Sequence, residues 1–329
     1  MVLNLLFCGI GFILLYYGAE WLVKGSSSLA KSLGVTPIVI GLTVVAFGTS
    51  APELVVSLIS AIKGKSMIAV GNVVGSNVCN IALVLGAAAL FQPIACDPSV
   101  AKRDIPIMLG VSLYLLVLSL DSHIGRIEGV ALFAGIILYT FWNYHSATGK
   151  TRIGAGVASA APERIEEPVY IESKRKQVIY VLAGIIGVIF GAQIVVESAV
   201  KVMTILGVSE KFIGLTIVAF GTSLPELATS VVAAIRKEMD ISIGNLVGSN
   251  VFNIMSVLGA ASIVRPITIP GGFIESGLAV DYGVMMMTSF MPWLMMRKSP
   301  VITRGHGLIL LMCYLGYLAY LVWKAPVGG

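Results

Sequence analysis

Charged residues are scarce in this sequence. Asp, Glu, Lys and Arg make up 12% of the 329 residues, about half the share of a typical soluble domain. So few charges could not cover the surface of a soluble fold of this length. Histidine and cysteine are also rare, with three and four residues, and the cysteines form neither a CxxC pair nor a Cys/His cluster. The sequence therefore supports neither a disulfide framework nor a zinc site.

Apolar residues, in contrast, make up 57% of the chain, and the mean hydropathy is +0.94. They form blocks with charged and Gly/Pro borders, and roughly 17–25 apolar residues can cross a hydrocarbon core. The first block has no basic region or small-residue cleavage site, so we expect it to remain as a helix. The sequence predicts an all-α membrane protein with ten transmembrane helices, over residues 2–30, 37–62, 67–92, 104–120, 127–145, 177–204, 211–235, 241–265, 276–296 and 305–323.

One segment between the fifth and sixth blocks differs from the rest. Residues 146–176 hold many of the chain's charges, with small residues between them. We interpret this segment as a linker, because it is too polar to cross a membrane. It divides the chain into an N-terminal five-helix repeat, residues 1–145, and a C-terminal five-helix repeat, residues 177–329.

The two halves are related by an internal repeat. Residues 41–54 read GLTVVAFGTSAPEL, and residues 214–227, 173 positions later, read GLTIVAFGTSLPEL, identical at twelve of fourteen positions. At the same offset, GNVVGSNVCN at 71–80 matches GNLVGSNVFN at 244–253 at eight of ten positions. A constant offset over both motifs indicates a duplication of the whole unit.

An odd number of helices in each repeat has a geometric consequence. The second copy must enter the membrane from the opposite side, so we expect inverted repeats with a site near the midplane where they meet. With both termini outside, the inner loops and the linker hold fourteen Lys and Arg residues and the outer loops hold seven. The positive-inside rule therefore favours outer termini and a cytoplasmic linker.

Two acidic residues lie in the middle of predicted membrane helices. Glu53 and Glu226 are each flanked by about ten mostly apolar residues. An ionised carboxylate at that depth is costly unless another group neutralises it. Both glutamates follow a proline, which disrupts the helix one turn upstream and frees backbone carbonyls near Ala46 and Ala219. We therefore expect each glutamate to need a cation.

Further oxygen-bearing side chains surround these glutamates in both repeats. Residues three and four apart on a helix can face one direction, and no thiol or imidazole recurs at the repeated positions. An all-oxygen set suits hard cations such as Ca²⁺ and Na⁺ and disfavours zinc, copper or iron. The candidates are Thr49, Ser50, Ser76, Asn77 and Asn80 in the first repeat and Thr222, Ser223, Ser249, Asn250 and Asn253 in the second.

These residue types also have structural interpretations. Gly-xxx-Gly spacing by itself indicates helix packing, and Asn77 and Asn250 fit a hydrogen bond between helices as well as a site. For the two glutamates a functional role is favoured, because glutamine would form hydrogen bonds at lower cost. For charged residues near span ends or with a possible partner at i+4, a structural role is favoured: Glu20, Lys24, Glu197, Lys201 and Asp281.

The motifs GTSAPE with GNVVGSNVCN and GTSLPE with GNLVGSNVFN resemble the two alpha-repeats of the sodium/calcium exchanger family, within the calcium/cation antiporter superfamily. The size and short linker are similar to those of its archaeal and bacterial members. The resemblance implies ion ligands from Glu53, Glu226, Thr49, Thr222, Ser50, Ser223, Ser76, Ser249, Asn80 and Asn253, and from the carbonyls of Ala46 and Ala219. Some members have Asp at Asn80 or Asn253, so potassium co-transport and ion stoichiometry are not carried over.

Charge balance is consistent with antiport. With both glutamates ionised, the empty site carries a charge of minus two. One Ca²⁺ or two Na⁺ neutralise this charge, and three Na⁺ leave a net charge of plus one. We expect Na⁺, three ions per Ca²⁺, to drive Ca²⁺ across the membrane by alternating access, with sliding of the first and sixth helices implied by the resemblance. The alternative is a Ca²⁺/H⁺ antiporter using the same Glu pair. A channel is a further alternative, although strong duplicated charge sites suit stepwise exchange better.

Other classes of protein are not supported. No HExxH, suitably placed GxSxG or P-loop motif occurs, so we expect a transporter and not an enzyme. The basic residues, which give a net charge of +5, are scattered along the borders of apolar blocks. We therefore expect no nucleic-acid partner. We also expect no cofactor and no protein partner. The expected partners are Ca²⁺, Na⁺ and the lipid bilayer of the cell membrane.

Overall fold

The computed structural model describes residues 1–151, 170–208 and 219–324. Most of the predicted linker and the beginning of the seventh predicted span lie outside these ranges. The described chain is mostly helical, as the apolar blocks predict. Its principal helices are Val2–Leu33, Pro37–Thr49, Ala51–Ile62, Ser66–Phe91, Ile105–Ser119, Arg126–Thr151, Lys174–Ile205, Leu224–Ile235, Met239–Val264, Leu278–Met295 and Arg304–Lys324.

Six of these helices are long and apolar enough to cross a membrane. A seventh span is obtained if Pro37–Thr49 and Ala51–Ile62, which meet at an angle of 47°, are counted as one broken helix. Ile105–Ser119 and Leu224–Ile235, with 15 and 12 residues, are shorter than a full span. The chain is a multi-pass helical membrane protein, and the count of ten spans stays a prediction.

Two long helices, Val2–Leu33 and Lys174–Ile205, pack against each other along much of their length. Glycines allow this close contact: a Cβ atom on Gly18 would lie 2.7 Å from the backbone carbonyl carbon of Gly187. Close backbone approach at small residues is a common way for membrane helices to associate. We call these helices the long pair.

The protein's interior is built from the two repeated motifs. The first broken helix is Pro37–Thr49 with Ala51–Ile62, and the second is described as Ala219–Gly221 with Leu224–Ile235. Each is followed by a partner helix. The first partner helix is Ser66–Phe91 and the second is Met239–Val264, and 78% of the apolar window of each is buried.

Both of these helix types are irregular. Pro52 and Pro225 lie in the first turn after each break, where a missing N–H is tolerated. Both partner helices contain a π-helical segment at corresponding places, Cys79–Leu85 and Asn253–Leu258. Such segments widen a helix locally and are frequent at functional sites.

Four two-residue strands accompany the helices in the described part of the chain. Strand β1, Ile94–Ala95, pairs antiparallel with β4, Val301–Ile302, and β2, His123–Ile124, pairs antiparallel with β3, Ile267–Thr268. Strands β1 and β3 occupy equivalent positions in the repeats and each follows a proline, which prevents continuation of the preceding helix. Each pair joins one half of the chain to the other.

Candidate cation site

Both glutamates lie immediately after a helix break. Glu53 is in the first turn of Ala51–Ile62, and Glu226 is in the first turn of Leu224–Ile235. Both residues are fully buried, with an exposed fraction of 0%. The first turn of a helix offers partial positive charge to a carboxylate. Because the helices break there, two acidic side chains reach the centre of the protein.

Each carboxylate accepts a hydrogen bond from a serine. The Ser50 hydroxyl donates to Glu226 Oε1 at 3.1 Å, and the Ser76 hydroxyl donates to Glu53 Oε1 at 3.4 Å. The first of these bonds crosses from one repeat to the other. The two carboxylates are close enough for their charges to repel each other. The breaks of both repeats therefore form one acidic centre.

Several oxygen atoms at this centre are buried without a hydrogen-bond partner among the described residues. Leaving an acceptor in this condition costs roughly 1–3 kcal/mol, and more when it is charged. Burial of so many unpartnered oxygens in one place is unfavourable unless something positive lies between them. The atoms are Glu53 Oε2, Glu226 Oε2, Thr222 Oγ1, Ser223 Oγ, Asn80 Oδ1 and Asn253 Oδ1.

Four asparagines from the partner helices explain why two amide oxygens are free. The Asn77 and Asn250 side-chain amides each donate to the other residue's backbone carbonyl at 3.2 Å. The Asn80 amide donates to Asn250 Oδ1 at 3.2 Å, and the Asn253 amide donates to Asn77 Oδ1 at 3.1 Å. These bonds use the nitrogen ends of Asn80 and Asn253. Asn77 and Asn250 could have formed either a hydrogen bond between helices or part of the site, and the contacts found are hydrogen bonds between helices.

Thr49 lies beside Glu226. Its hydroxyl donates to Asn245 Oδ1 at 3.0 Å and lies 3.5 Å from the Ser249 hydroxyl and 3.4 Å from the Ala46 carbonyl oxygen. Asn245 is not among the predicted site residues, and neither is its repeat equivalent Asn72. The signal that could have found them is their identity in both copies of the motif, four residues before the repeated serine.

Asn72 and Asn245 have similar roles in orienting the helices. The Asn72 amide donates to the Ser57 hydroxyl at 2.9 Å and to the Glu53 carbonyl oxygen at 3.2 Å. The Asn245 amide donates to the Ser230 hydroxyl at 3.0 Å. Each asparagine thereby ties a partner helix to the broken helix of its own repeat. This fixes the position of the glutamate-bearing turn.

The structure brings most of the predicted ligands to one place. Glu53 is next to Ser76 and Thr222, and Glu226 is next to Ser50 and Thr49. Ala46 and Ser249 lie beside Thr49, Asn80 and Asn253 contact Asn250 and Asn77, and Ser223 lies at the second break. Ala219 begins the helix Ala219–Gly221, one turn before that break. Among the residues that the structure describes, no group of three or more His, Cys, Asp or Glu forms a metal site.

The two sides of the centre are packed differently. On one side, the first broken helix contacts the second partner helix closely: a Cβ on Gly244 would lie 2.8 Å from the Ile38 carbonyl oxygen. On the other side, a Cβ added to Gly71 or Gly75 in the first partner helix would have no atom of the described residues within 4 Å. The repeat equivalents of Ile38, Gly41 and Leu42 are Lys211, Gly214 and Leu215, which lie outside the described residues.

A cavity of about 380 Å³ lies beside Gly71 and Gly75 of the first partner helix. It reaches the centre at Ser76 and Thr222 and the surface at Gly71, which is exposed. Asp281, Tyr314 and Tyr317 line its wall, together with Val56, Ile68, Asn72, Gly75, Cys79, Leu318 and Leu321. Among the described residues, a passage thus approaches the centre at Ser76 and Thr222, and close helix packing is found at Gly244.

Fold and site together define a class: a multi-pass helical membrane protein with a buried acidic centre lined by oxygen atoms. Comparison with known proteins is consistent with this class. The family model described as sodium/calcium exchanger protein matches residues 3–145 and 176–323. The chain belongs to the sodium/calcium exchanger family, as the resemblance of its two motifs implied.

Individual relatives match over nearly the whole chain. A putative antiporter, CaxA of Alkalimonas amylolytica, is 35% identical over 99% of this chain and 100% of its own length. The sodium/calcium exchanger MaX1 of Methanosarcina acetivorans is 30% identical over 98% of this chain and 99% of its own. A solved structure of the sodium-calcium exchanger NCX_Mj, soaked with Na⁺ and Ca²⁺, is similar with a TM-score of 0.82, 32% identity, and coverage of 99% and 100%.

Proposed function

We propose that this protein exchanges Na⁺ for Ca²⁺ across the cell membrane, with three Na⁺ for each Ca²⁺. The observation that carries the proposal is the pair of fully buried carboxylates, Glu53 and Glu226, each with an oxygen that has no partner in the described chain. One Ca²⁺ balances their charge, and Na⁺ ions can occupy overlapping oxygens. Because the bare dianion is costly to enclose, the protein changes its facing only when loaded.

The proposed ligands come from both repeats. The carboxylates supply charge, and hydroxyl, amide and backbone oxygens replace water around the ion, as hard cations require. The cross-repeat bond from Ser50 to Glu226 supports a shared site. The proposed set is Glu53, Thr49, Ser50, Ser76, Asn80 and the Ala46 carbonyl with Glu226, Thr222, Ser223, Ser249, Asn253 and the Ala219 carbonyl.

The proposed topology has ten membrane helices in two inverted repeats, with outer termini and a cytoplasmic linker. Reciprocal contacts between the halves support it: Asn77 and Asn250 exchange equivalent hydrogen bonds, and β1 and β3 pair with strands of the opposite half. In this orientation the cavity beside Asp281 faces outward, and the tight packing at Gly244 faces the cytoplasm. Sliding of the long pair across the centre then closes the cavity beside Asp281 and opens the contact at Gly244.

Flux through purified protein in liposomes tests the exchange. An imposed Na⁺ gradient is expected to drive Ca²⁺ uptake, and Glu53→Gln or Glu226→Gln is expected to abolish it, because a neutral side chain leaves the Ca²⁺ charge uncompensated. Glu197→Gln is the matched control, since Glu197 is an exposed glutamate on Lys174–Ile205. Na⁺-driven flux that persists in both centre variants would refute the proposal.

The counter-ion and stoichiometry have separate readouts. Exchange of three Na⁺ for one Ca²⁺ moves net charge, so the rate is expected to respond to membrane voltage, whereas exchange of two Na⁺ would not. Uptake driven by a pH gradient in the absence of Na⁺ would identify the Ca²⁺/H⁺ alternative. The relatives named as sodium/calcium exchangers support Na⁺.

A further inference from the structure

A third carboxylate lies beside the passage to the two glutamates. Asp281 is in the first turn of Leu278–Met295 and lines the same cavity as Ser76 and Thr222. It does not belong to the duplicated motifs, and the equivalent position in the first repeat is the buried Met108. The second repeat therefore has a carboxylate at a position where the first repeat has an apolar side chain.

The Asp281 carboxylate is held in place without being neutralised by a close cation. The Tyr317 hydroxyl donates a hydrogen bond to Asp281 Oδ1 at 3.0 Å. Lys324 is near enough to attract the carboxylate electrostatically, but no ion pair within 4.0 Å joins them in the described structure. The Lys324 ammonium instead lies 5.7 Å from the centre of the Tyr320 ring. The negative charge of Asp281 is thus available to an ion in the cavity.

We propose that Asp281, oriented by Tyr317, recruits cations from the cavity side and passes them to the Glu53 and Glu226 centre. This inference rests on the proposed exchange function. A fixed negative charge on the wall of a narrow passage raises the local concentration of cations. The effect is larger for Ca²⁺ than for Na⁺, because the attraction scales with ionic charge. Asp281 therefore lowers the KM for Ca²⁺ on the cavity side and favours the divalent ion there.

The experiment compares Ca²⁺ dependence from the two sides of the membrane. Vesicles of defined orientation, or liposomes with one orientation silenced, give the KM for each side separately. Asp281→Asn is expected to raise the cavity-side KM for Ca²⁺ about three- to tenfold at low ionic strength and to change the KM of the opposite side less than twofold. The KM for Na⁺ is expected to rise less than that for Ca²⁺. The difference is expected to shrink at high salt.

Three variants separate recruitment from a structural role. Asp281→Glu keeps the charge and is expected to restore most of the cavity-side affinity. Glu275→Gln removes one charge from an exposed residue near the same helix end, outside the cavity lining, and is expected to leave both KM values unchanged. Tyr317→Phe keeps the carboxylate but removes its hydrogen bond, and is expected to raise the cavity-side KM less than Asp281→Asn does.

The outcomes are distinct from those that test the exchange itself. An unchanged cavity-side KM in Asp281→Asn, or equal increases on both sides, would overturn recruitment while leaving exchange intact. Loss of the wild-type Na⁺-driven flux would overturn the exchange function. Should Asp281→Asn fail to fold, Tyr317→Phe carries the test, and a cavity-side KM equal to that of the wild type in this variant would also overturn the proposal.

Discussion

The contrast between Gly248 and Gly75 leads to a sharp prediction, because these two glycines occupy the same position in the two repeats. A Cβ on Gly248 would lie 2.6 Å from the Leu42 carbonyl oxygen, 2.7 Å from Leu42 Cα and 2.9 Å from Ala46 Cβ. Two of these atoms are backbone and cannot move aside cheaply. A Cβ on Gly75 has no neighbour within 4 Å in the part of the chain that the structure describes.

The same substitution is therefore expected to have unequal effects. Inserting a methyl group into a tightly packed contact costs about 1–3 kcal/mol, which corresponds to roughly a 5- to 150-fold shift of an equilibrium. Gly248→Ala is expected to loosen the contact between Pro37–Thr49 and Met239–Val264 by such a factor. Gly75→Ala is expected to leave this contact within twofold of the wild type.

Amide hydrogen exchange measures the opening directly. Where exchange follows the opening equilibrium, peptides covering Pro37–Thr49 are expected to exchange faster in Gly248→Ala by the factor given above. Gly75→Ala is expected to slow Ca²⁺ flux, because the opposite-facing state would bring the first partner helix into close packing like that described at Gly248. Equal changes in exchange for the two variants, or none in Gly248→Ala, would refute the reasoning.

Three further predictions concern stability in detergent, measured by thermal unfolding. Asn250→Ala is expected to cost about 1–3 kcal/mol, because it leaves the Asn77 carbonyl without its buried donor; an unchanged midpoint would contradict this. Arg236→Gln removes a partly exposed ion pair with Glu20 and is expected to cost less than about 1 kcal/mol; a larger loss would contradict a simple surface pair. Burial and then repulsion from a neighbouring aspartate raise the pKa of Glu238, so the folded state binds its proton more tightly than the unfolded state. The contribution of Glu238 to stability is present below the ordinary carboxyl pKa and is lost as the pH rises through the raised pKa. Glu238→Gln is expected to flatten this dependence of the unfolding midpoint on pH. Identical pH profiles of the midpoint in the variant and the wild type would refute the assignment.

Much of the site could be predicted from local sequence. The positions of Glu53 and Glu226 follow from apolar flanks and an adjacent proline, and these depend only on nearby residues. The duplication makes the same oxygen-bearing side chains recur 173 residues apart. The helix breaks and the likeness of the two halves were therefore predictable without any knowledge of tertiary contacts.

Partners distant in sequence could not be predicted in this way. A possible i+4 partner for Glu20 is Lys24, yet Glu20 pairs with Arg236, on a loop beyond the second broken helix. Even within one helix the partner differs from the suggested one: Glu197 accepts a hydrogen bond at 2.9 Å from Gln193, four residues earlier, whereas the sequence suggests Lys201, four residues later. A side chain on a membrane helix can reach several groups of similar chemistry, and helix packing decides between them. The sequence favours a structural role for Asp281 because the residue lies near the end of a predicted span, and only the structure places it on the wall of a cavity.

The sequence by itself determined a membrane protein with two copies of one motif and an acidic residue at the centre of each. Only the tertiary structure decided which groups lie around each copy: Gly248 packs against the Leu42 backbone, and among the described residues Gly75 lines a cavity. Two nearly identical segments have the same local preferences, so local sequence cannot distinguish them. The neighbours of each segment come from distant parts of the chain, so only helix packing decides which groups surround it.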